Sequence, residues 1–126
     1  MPVAISISKY RSSWEKQAKR QKAENESLRR AAIEVSHRLK DLLVNGYHVK
    51  KVVLYGSILQ PEEFNGRSDI DLAVEGLPKR LYFEALGKLM AASDFEVDLK
   101  PLEDVKQLLA ERIKKGKIIY EKGTDT

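Results

Sequence analysis

Two aspartates one residue apart, Asp69 and Asp71, lie in the stretch Asp69-Ile70-Asp71-Leu72-Ala73-Val74, where charged and apolar residues alternate. Period-two alternation is the signal of a half-buried strand. It places both carboxylates on one face, about 6.5–7 Å apart along the chain, with Ile70, Leu72 and Val74 on the other. A second alternating run, Phe95-Glu96-Val97-Asp98-Leu99-Lys100, makes Phe95, Val97 and Leu99 the core set and puts Glu96, Asp98 and Lys100 opposite. If the two strands are neighbours in register, Asp98 joins Asp69 and Asp71 in a cluster of three carboxylates. Such a cluster on one wet face repels itself unless a cation neutralises it. Hard oxygen donors with room for water suit Mg²⁺. Two ions sharing the set could hold both sides of an in-line phosphoryl displacement.

The competing reading of Asp-Ile-Asp is a strand edge that carries charge against aggregation. A lone Asp-x-Asp favours that reading, but its companions shift the balance. Lys51-Val52-Val53-Leu54-Tyr55 is a short apolar run that ends directly at Gly56-Ser57. A glycine there lets a phosphate approach the backbone, a serine adds a hydroxyl, and exposed N–H groups at such a turn make an anion site. Taken alone, Gly-Ser is simply a turn. His37 and His48 have no partners at ligand spacing and read as surface or packing residues, and no histidine is placed beside Ser57 for hydrolysis.

The elements that must position these groups follow from periodicity. Ser12 or Ser13 opens a long helical pattern, with Ser12 and Glu15 at capping-box spacing. The stripe Trp14, Ala18, Gln21, Asn25, Leu28, Ala32, Val35, Leu39 and Leu42 steps by fours and threes up to Asn45-Gly46, the expected left-handed stop. Its second half, with Ile33 and Leu43, is apolar enough to dock on a core. Its first half is not, so residues 12–27 are expected to project as a basic arm. Lys79–Ala92 reads as an amphipathic helix, Leu102–Lys115 as another, and Lys117–Tyr120 as a last strand. The order is α-β-β-α-β-α-β. One domain over residues 1–126 results, comprising an N-terminal helix at 12–46 and a core at 47–123.

Composition narrows the class. The chain has 126 residues, 42% hydrophobic and 33% charged, which is ordinary for a globular domain. No apolar run approaches the roughly 18–20 residues of a membrane span, and the N-terminus lacks the pattern of a signal peptide. Zero cysteine removes disulfide scaffolds, thiol nucleophiles and Cys-based zinc sites together, and fits a cytoplasmic home. Residues 1–46 hold 10 basic and 5 acidic side chains, and residues 47–126 hold 13 and 14, so the whole excess of the net +4 sits in the N-terminal third. Such asymmetry can mark a nucleic-acid arm, but Glu15, Glu24 and Glu26 interleave with its bases. A partner-binding or plainly solvated helix is favoured over nucleic acid.

Strand-Gly56-Ser57, a loop, Ser68-Asp69-Ile70-Asp71-Leu72-Ala73-Val74-Glu75-Gly76 and the later Phe95-Glu96-Val97-Asp98-Leu99 together resemble the minimal nucleotidyltransferases of the DNA polymerase β superfamily. The likeness covers about residues 47–123. It implies an α+β nucleotidyltransferase fold: a small mixed sheet with helices packed on one face, preceded here by the long helix. It implies transfer of a nucleoside monophosphate from a nucleoside triphosphate, with two Mg²⁺ on Asp69, Asp71 and Asp98, the triphosphate on Gly56 and Ser57, and Asp98 as base. Two features depart from the pattern. Gln60 stands where an arginine is usual, with Arg67 a substitute from the loop. The gap between Ser57 and Asp69 holds 11 residues, one more than usual.

Beyond Tyr120 only Glu121–Thr126 follow, so a lone catalytic lobe is expected to borrow its acceptor-binding wall from another chain. Minimal members of the family are similar to the antitoxin halves of two-gene pairs whose partners are small helical HEPN proteins. In that setting the resemblance implies AMP transfer from ATP to a partner tyrosine, silencing a ribonuclease. The alternative is a binding protein of weak or lost chemistry that covers a helical partner through the Trp14–Leu28 arm. Homo-oligomerisation stays open.

Overall fold

Alternating strands have two faces to cover, and the helices divide that work. The computed structural model describes residues 3–123, with side chains from residue 7 onward. The elements are α1 (Val3–Tyr47), β1 (Lys51–Tyr55), β2 (Ile70–Glu75), α2 (Tyr82–Ala91), β3 (Val97–Pro101), α3 (Gln107–Lys114) and β4 (Lys117–Glu121). Short 3-10 turns occupy Gly56–Leu59, Lys79–Leu81 and Leu102–Asp104. The order of helices and strands is the one that the periodicity dictates.

The sheet runs β3-β2-β1-β4. β1 pairs antiparallel with both β2 and β4, whereas β2 and β3 are parallel. The sheet is therefore mixed. On one face Val52, Leu54, Ile70, Leu72, Val74, Val97 and Leu99 are buried against Ala32, Val35, Leu39 and Leu43 of α1 and Ala85 and Leu89 of α2. On the other face Val53, Tyr55 and Ala73 are buried under Ile113 of α3, with Leu102, Val105 and Leu109 packed around them. The expected layering, helices on one face, thus holds for α1 and α2 but not for α3. The reason lies in the odd positions of β1: Val53 and Tyr55 are too apolar to face water and draw a third helix over them.

The ends of the helices depart from expectation in ways that tertiary contacts explain. α1 spans 45 residues, about 67 Å at 1.5 Å per residue, and begins nine residues before Ser12. No glycine or proline separates Val3 from Ser12, and extending an existing helix is cheap, so Ser12 lies in mid-helix and caps nothing. At the other end the helix runs past Gly46 to Tyr47, and His48 takes the left-handed conformation, at φ 53°. Tyr47 repays that extra residue: its hydroxyl donates to Glu84 Oε2 at 2.8 Å, and Lys88 Nζ lies 5.4 Å from its ring centroid. Leu28 and Leu42, assigned to the α1 stripe by periodicity, remain substantially exposed. The helix expected from Leu102 starts at Gln107. Val105 and Lys106 are extended between the 3-10 turn and α3, while Leu102 and Val105 pack into the second core cluster.

Residues 7–24 of α1 are exposed on every side. From Ala32 onward the same helix is anchored, and even Ser36 is fully buried, its hydroxyl donating to the Ala32 carbonyl at 2.7 Å.

The turn from α3 into β4 packs against β1. A Cβ on Gly116 would stand 2.7 Å from the Leu54 carbonyl oxygen and 2.9 Å from Tyr55 Cβ. Replacing Gly116 by alanine is expected to cost about 1–3 kcal/mol through overpacking, read as a lower urea midpoint at unchanged slope. A midpoint equal to wild type would mean that α3 and β1 part more easily than this contact implies.

Candidate active site

Register places the acidic residues, because strand pairing decides which alternating side chains become neighbours. Tyr55 of β1 pairs with Asp71 of β2, and Asp71 pairs with Asp98 of β3. The three side chains form a row across the face opposite α1 and α2, with strands about 4.8 Å apart. Asp69 precedes β2 by one residue, two positions before Asp71, and is exposed. Asp71 and Asp98 are half-buried. All three carboxylates that alternation singled out thus belong to one neighbourhood.

Their charges feel one another. The Asp71 carboxyl is pushed up from 3.8 to about 6, first by burial, then by repulsion from Asp98 and from Asp69; Arg112 and Lys100 pull it partly back. The phenol of Tyr55 is pushed far above its usual range by burial and by the charges of Asp71 and Asp98. Asp98 Oδ1 is paired with Lys100 Nζ at 3.3 Å on the same strand face. Like charges directly opposite one another in a sheet are destabilising, so something outweighs that repulsion: the hydrophobic registration of Ile70, Leu72, Val97 and Leu99 beneath.

The Gly-Ser turn meets this row. Gly56 adopts φ 85° and opens a 3-10 turn through Leu59, closed by Gln60 N donating to the Ser57 carbonyl at 2.9 Å. A Cβ on Gly56 would collide with the Asp71 carboxylate. Glycine is needed here twice over, for the backbone angle and for the close approach. The 60–68 loop between turn and β2 is fixed by Phe64, buried in the main core, and by Asn65 and Ser68: Asn65 Oδ1 accepts from Arg67 N at 2.8 Å, and Ser68 Oγ accepts from Asn65 N at 3.0 Å.

The donor set suits a hard divalent cation: oxygens only, half open to water, and mutually repelling. Among the described residues no group of three or more acidic or histidine side chains is arranged to hold a metal ion as it stands. Asp98 Oδ1 is instead engaged with Lys100 Nζ. The residues fit such an ion in kind and in neighbourhood. A cavity of about 520 Å³ lies elsewhere, at the far ends of β2 and β3 near Leu77, Tyr82, Phe83 and Pro101.

Three residues of this region escaped the sequence. Tyr55 belongs to the acidic row, but only β1–β2 pairing reveals it. Arg112 acts on Asp71 from α3, and nothing in its own surroundings in the sequence marks it. Arg29 of α1 donates from Nε to the Ile58 carbonyl of the Gly-Ser turn at 2.6 Å. Arg67, the proposed stand-in for the arginine expected at Gln60, is exposed on the loop. His37 and His48 are exposed, away from the row.

The family described as Polymerase beta, Nucleotidyltransferase matches residues 37–125. Among solved structures, a toxin–antitoxin crystallised with AMP-PNP shares 28% identity with a TM-score of 0.60, the match covering 71% of this chain and 75% of that one. An MntA–HepT toxin–antitoxin shares 26% with a TM-score of 0.52, covering 71% of each chain. A tri-AMPylated Shewanella oneidensis HEPN toxin in complex with MNT antitoxin shares 24% with a TM-score of 0.55, covering 71% of this chain and 72% of that one, a likeness of fold. No curated protein matches.

Asp71 offers a test of the electrostatics by itself. A folded-state value raised above the unfolded one gives stability that is present below pH 4 and lost as pH climbs through about 6. Asp71→Asn removes the ionised group, so its melting temperature is expected to pull ahead of wild type between pH 5 and 7.5. Discounted for half exposure, the gain is about 1 kcal/mol, roughly 4 °C. A difference that stays constant over that range would mean Asp71 titrates normally.

Proposed function

The chain belongs to the polymerase β nucleotidyltransferase family, and on that footing we propose that it transfers AMP from ATP to a hydroxyl of a small helical HEPN-type partner, as the antitoxin half of such a pair. The observation that carries this reading is the row of Asp71 and Asp98, with Asp69 beside it, against the glycine turn at Gly56. A triphosphate is polyanionic, and a row of carboxylates would repel it unless both shared cations. In this reading Asp69, Asp71 and Asp98 would hold Mg²⁺, two ions between them, whose charge neutralises phosphate oxygens. Gly56 and Ser57 take the phosphates on backbone N–H groups and the serine hydroxyl. The acceptor oxygen forms a bond to the α-phosphorus, the bond to the β-phosphate bridging oxygen breaks, and pyrophosphate departs with its electron pair. The hydroxyl proton passes to Asp98, whose carboxylate is accessible and is already paired with Lys100.

ATP as donor is supported by the relative crystallised with AMP-PNP, which is itself a toxin–antitoxin. The tyrosine acceptor is the finer part of the proposal and rests on the family resemblance. Incubated with Mg²⁺, labelled ATP and the purified partner, the wild-type chain is expected to label the partner. Asp69→Asn is expected to reduce that labelling by roughly 10²-fold or more, as is removal of Mg²⁺ with EDTA. Labelling that survives both would defeat the catalytic reading.

A second reading has its own observation. Tyr10 and Trp14 of α1 are 66% and 70% exposed, four residues apart on one helical face. In this reading the arm holds the partner and chemistry is secondary. Deleting residues 1–27 is expected to abolish the complex under the binding reading while Asp71→Asn leaves neutralisation intact. Under the catalytic reading Asp71→Asn ends neutralisation even where the complex persists.

A further inference from the structure

Ile58 sits near the C-terminal end of the 3-10 turn, where carbonyls lack partners further along the chain. The Ile58 carbonyl has a partner from 29 residues upstream: Arg29 Nε donates to it at 2.6 Å. Arg29 is itself held, since Nη1 donates to Glu26 Oε1 at 3.1 Å one turn earlier on α1. Its side chain is 17% exposed, and Ile58 is fully buried. A guanidinium shared between a carboxylate and a buried carbonyl makes short, charge-assisted bonds. A cation at the C-terminal end of a helical turn also opposes the partial negative charge there.

Arg29 lies eight residues before the start of the family match at residue 37. The turn it grips carries Gln60, with no cation of its own at the place where the resemblance expects arginine. We infer that Arg29 is a positioning residue for the nucleotide turn: a guanidinium supplied from α1 locks Gly56–Leu59 against Asp71. The inference rests on the reading of that turn as the triphosphate site. It assigns α1 a role in nucleotide affinity in addition to its packing role from Ala32 onward.

The mechanism is one of populations. A short 3-10 turn samples other conformations, and a ligand that needs the closed form binds more weakly in proportion to the closed fraction. Without Arg29 the Ile58 carbonyl loses its donor at the turn's closed position. If the closed fraction falls to a tenth, apparent affinity falls tenfold.

The test uses the full chain, AMP-PNP with Mg²⁺ as probe, and the variants Arg29→Ala, Arg29→Lys and Glu26→Gln. AMP-PNP is expected to bind Arg29→Ala about tenfold more weakly than wild type. Arg29→Lys, which can still donate to the carbonyl, should lie within about threefold of wild type, and Glu26→Gln between the two. In labelling assays the loss should appear as a raised KM for ATP with kcat nearly unchanged. Equal AMP-PNP affinity for wild type and Arg29→Ala, with a lowered melting temperature, would overturn the inference and leave Arg29 a plain packing contact. If Arg29→Ala does not fold, the Lys and Gln variants carry the same comparison, and wild-type affinity in both overturns it. Should wild type itself bind no AMP-PNP, the functional reading fails, and amide exchange at residues 57–60 decides the clamp separately. Faster exchange there in Arg29→Ala or Arg29→Lys supports it; exchange equal to wild type overturns it.

Discussion

The structure depends on two carboxylates being kept side by side against their mutual repulsion. Asp71 and Asp98 are partners in the parallel β2–β3 ladder, and the Asp71 carboxyl is pushed upward first by burial and then by repulsion from Asp98. Lys100 and Arg112 offset the repulsion only in part. The opposing force comes from the reverse face, where Ile70, Leu72, Val97 and Leu99 are buried almost completely in the main core. A slip of one residue would relieve the charges and expose that apolar set. Burial of several aliphatic side chains, each of order 1.5–3 kcal/mol, outweighs a half-screened repulsion. The core therefore dictates the site.

Around that row the fold divides its labour between faces. α1 and α2 build the body of the hydrophobic core, and the acidic face is left partly open. α3 covers only the stretch made by Val53, Tyr55 and Ala73, which walls one side of the acidic row and brings Arg112 within electrostatic range of Asp71. Gly56 completes the site from below: its positive φ and missing side chain let the turn abut the Asp71 carboxylate. A family of enzymes that move nucleotidyl groups needs phosphates, cations and carboxylates within a few ångströms of one another, and this junction of turn and sheet is where the chain can bring them together.

α1, which enters the family match at residue 37, works at both ends. Its C-terminal half is core, closed at Tyr47 by contacts to Glu84 and Lys88. Its exposed half carries basic residues and the aromatic pair Tyr10 and Trp14, and Arg29 stands at the junction, where α1 passes the Gly-Ser turn. One continuous helix thus joins an outward surface to the loop beside the carboxylates. Rigidity is the relevant property, since a helix transmits position along its length and a flexible linker does not.

By itself the sequence determined the types and order of the elements, the acidic face of β2 and β3, and the glycine corner, because each rests on short-range rules: alternation in strands, periodicity in helices, and a backbone angle that favours glycine. It also made the nucleotidyltransferase likeness legible, since that likeness is carried by residues close together along the chain. Where helices end was less legible. Ser12 has a capping pattern and Gly46 a stopping one, yet α1 overruns both, since no glycine or proline breaks the chain between Val3 and Ser12 and side-chain contacts hold Tyr47. Tertiary structure alone decided that Asp98 is the register partner of Asp71, that α3 crosses to the acidic face, and that Tyr55, Arg112 and Arg29 converge on the site. Those outcomes depend on which strands pair and how helices are rotated about their axes, and both are fixed by the burial of the whole apolar set at once rather than by any window of neighbouring residues.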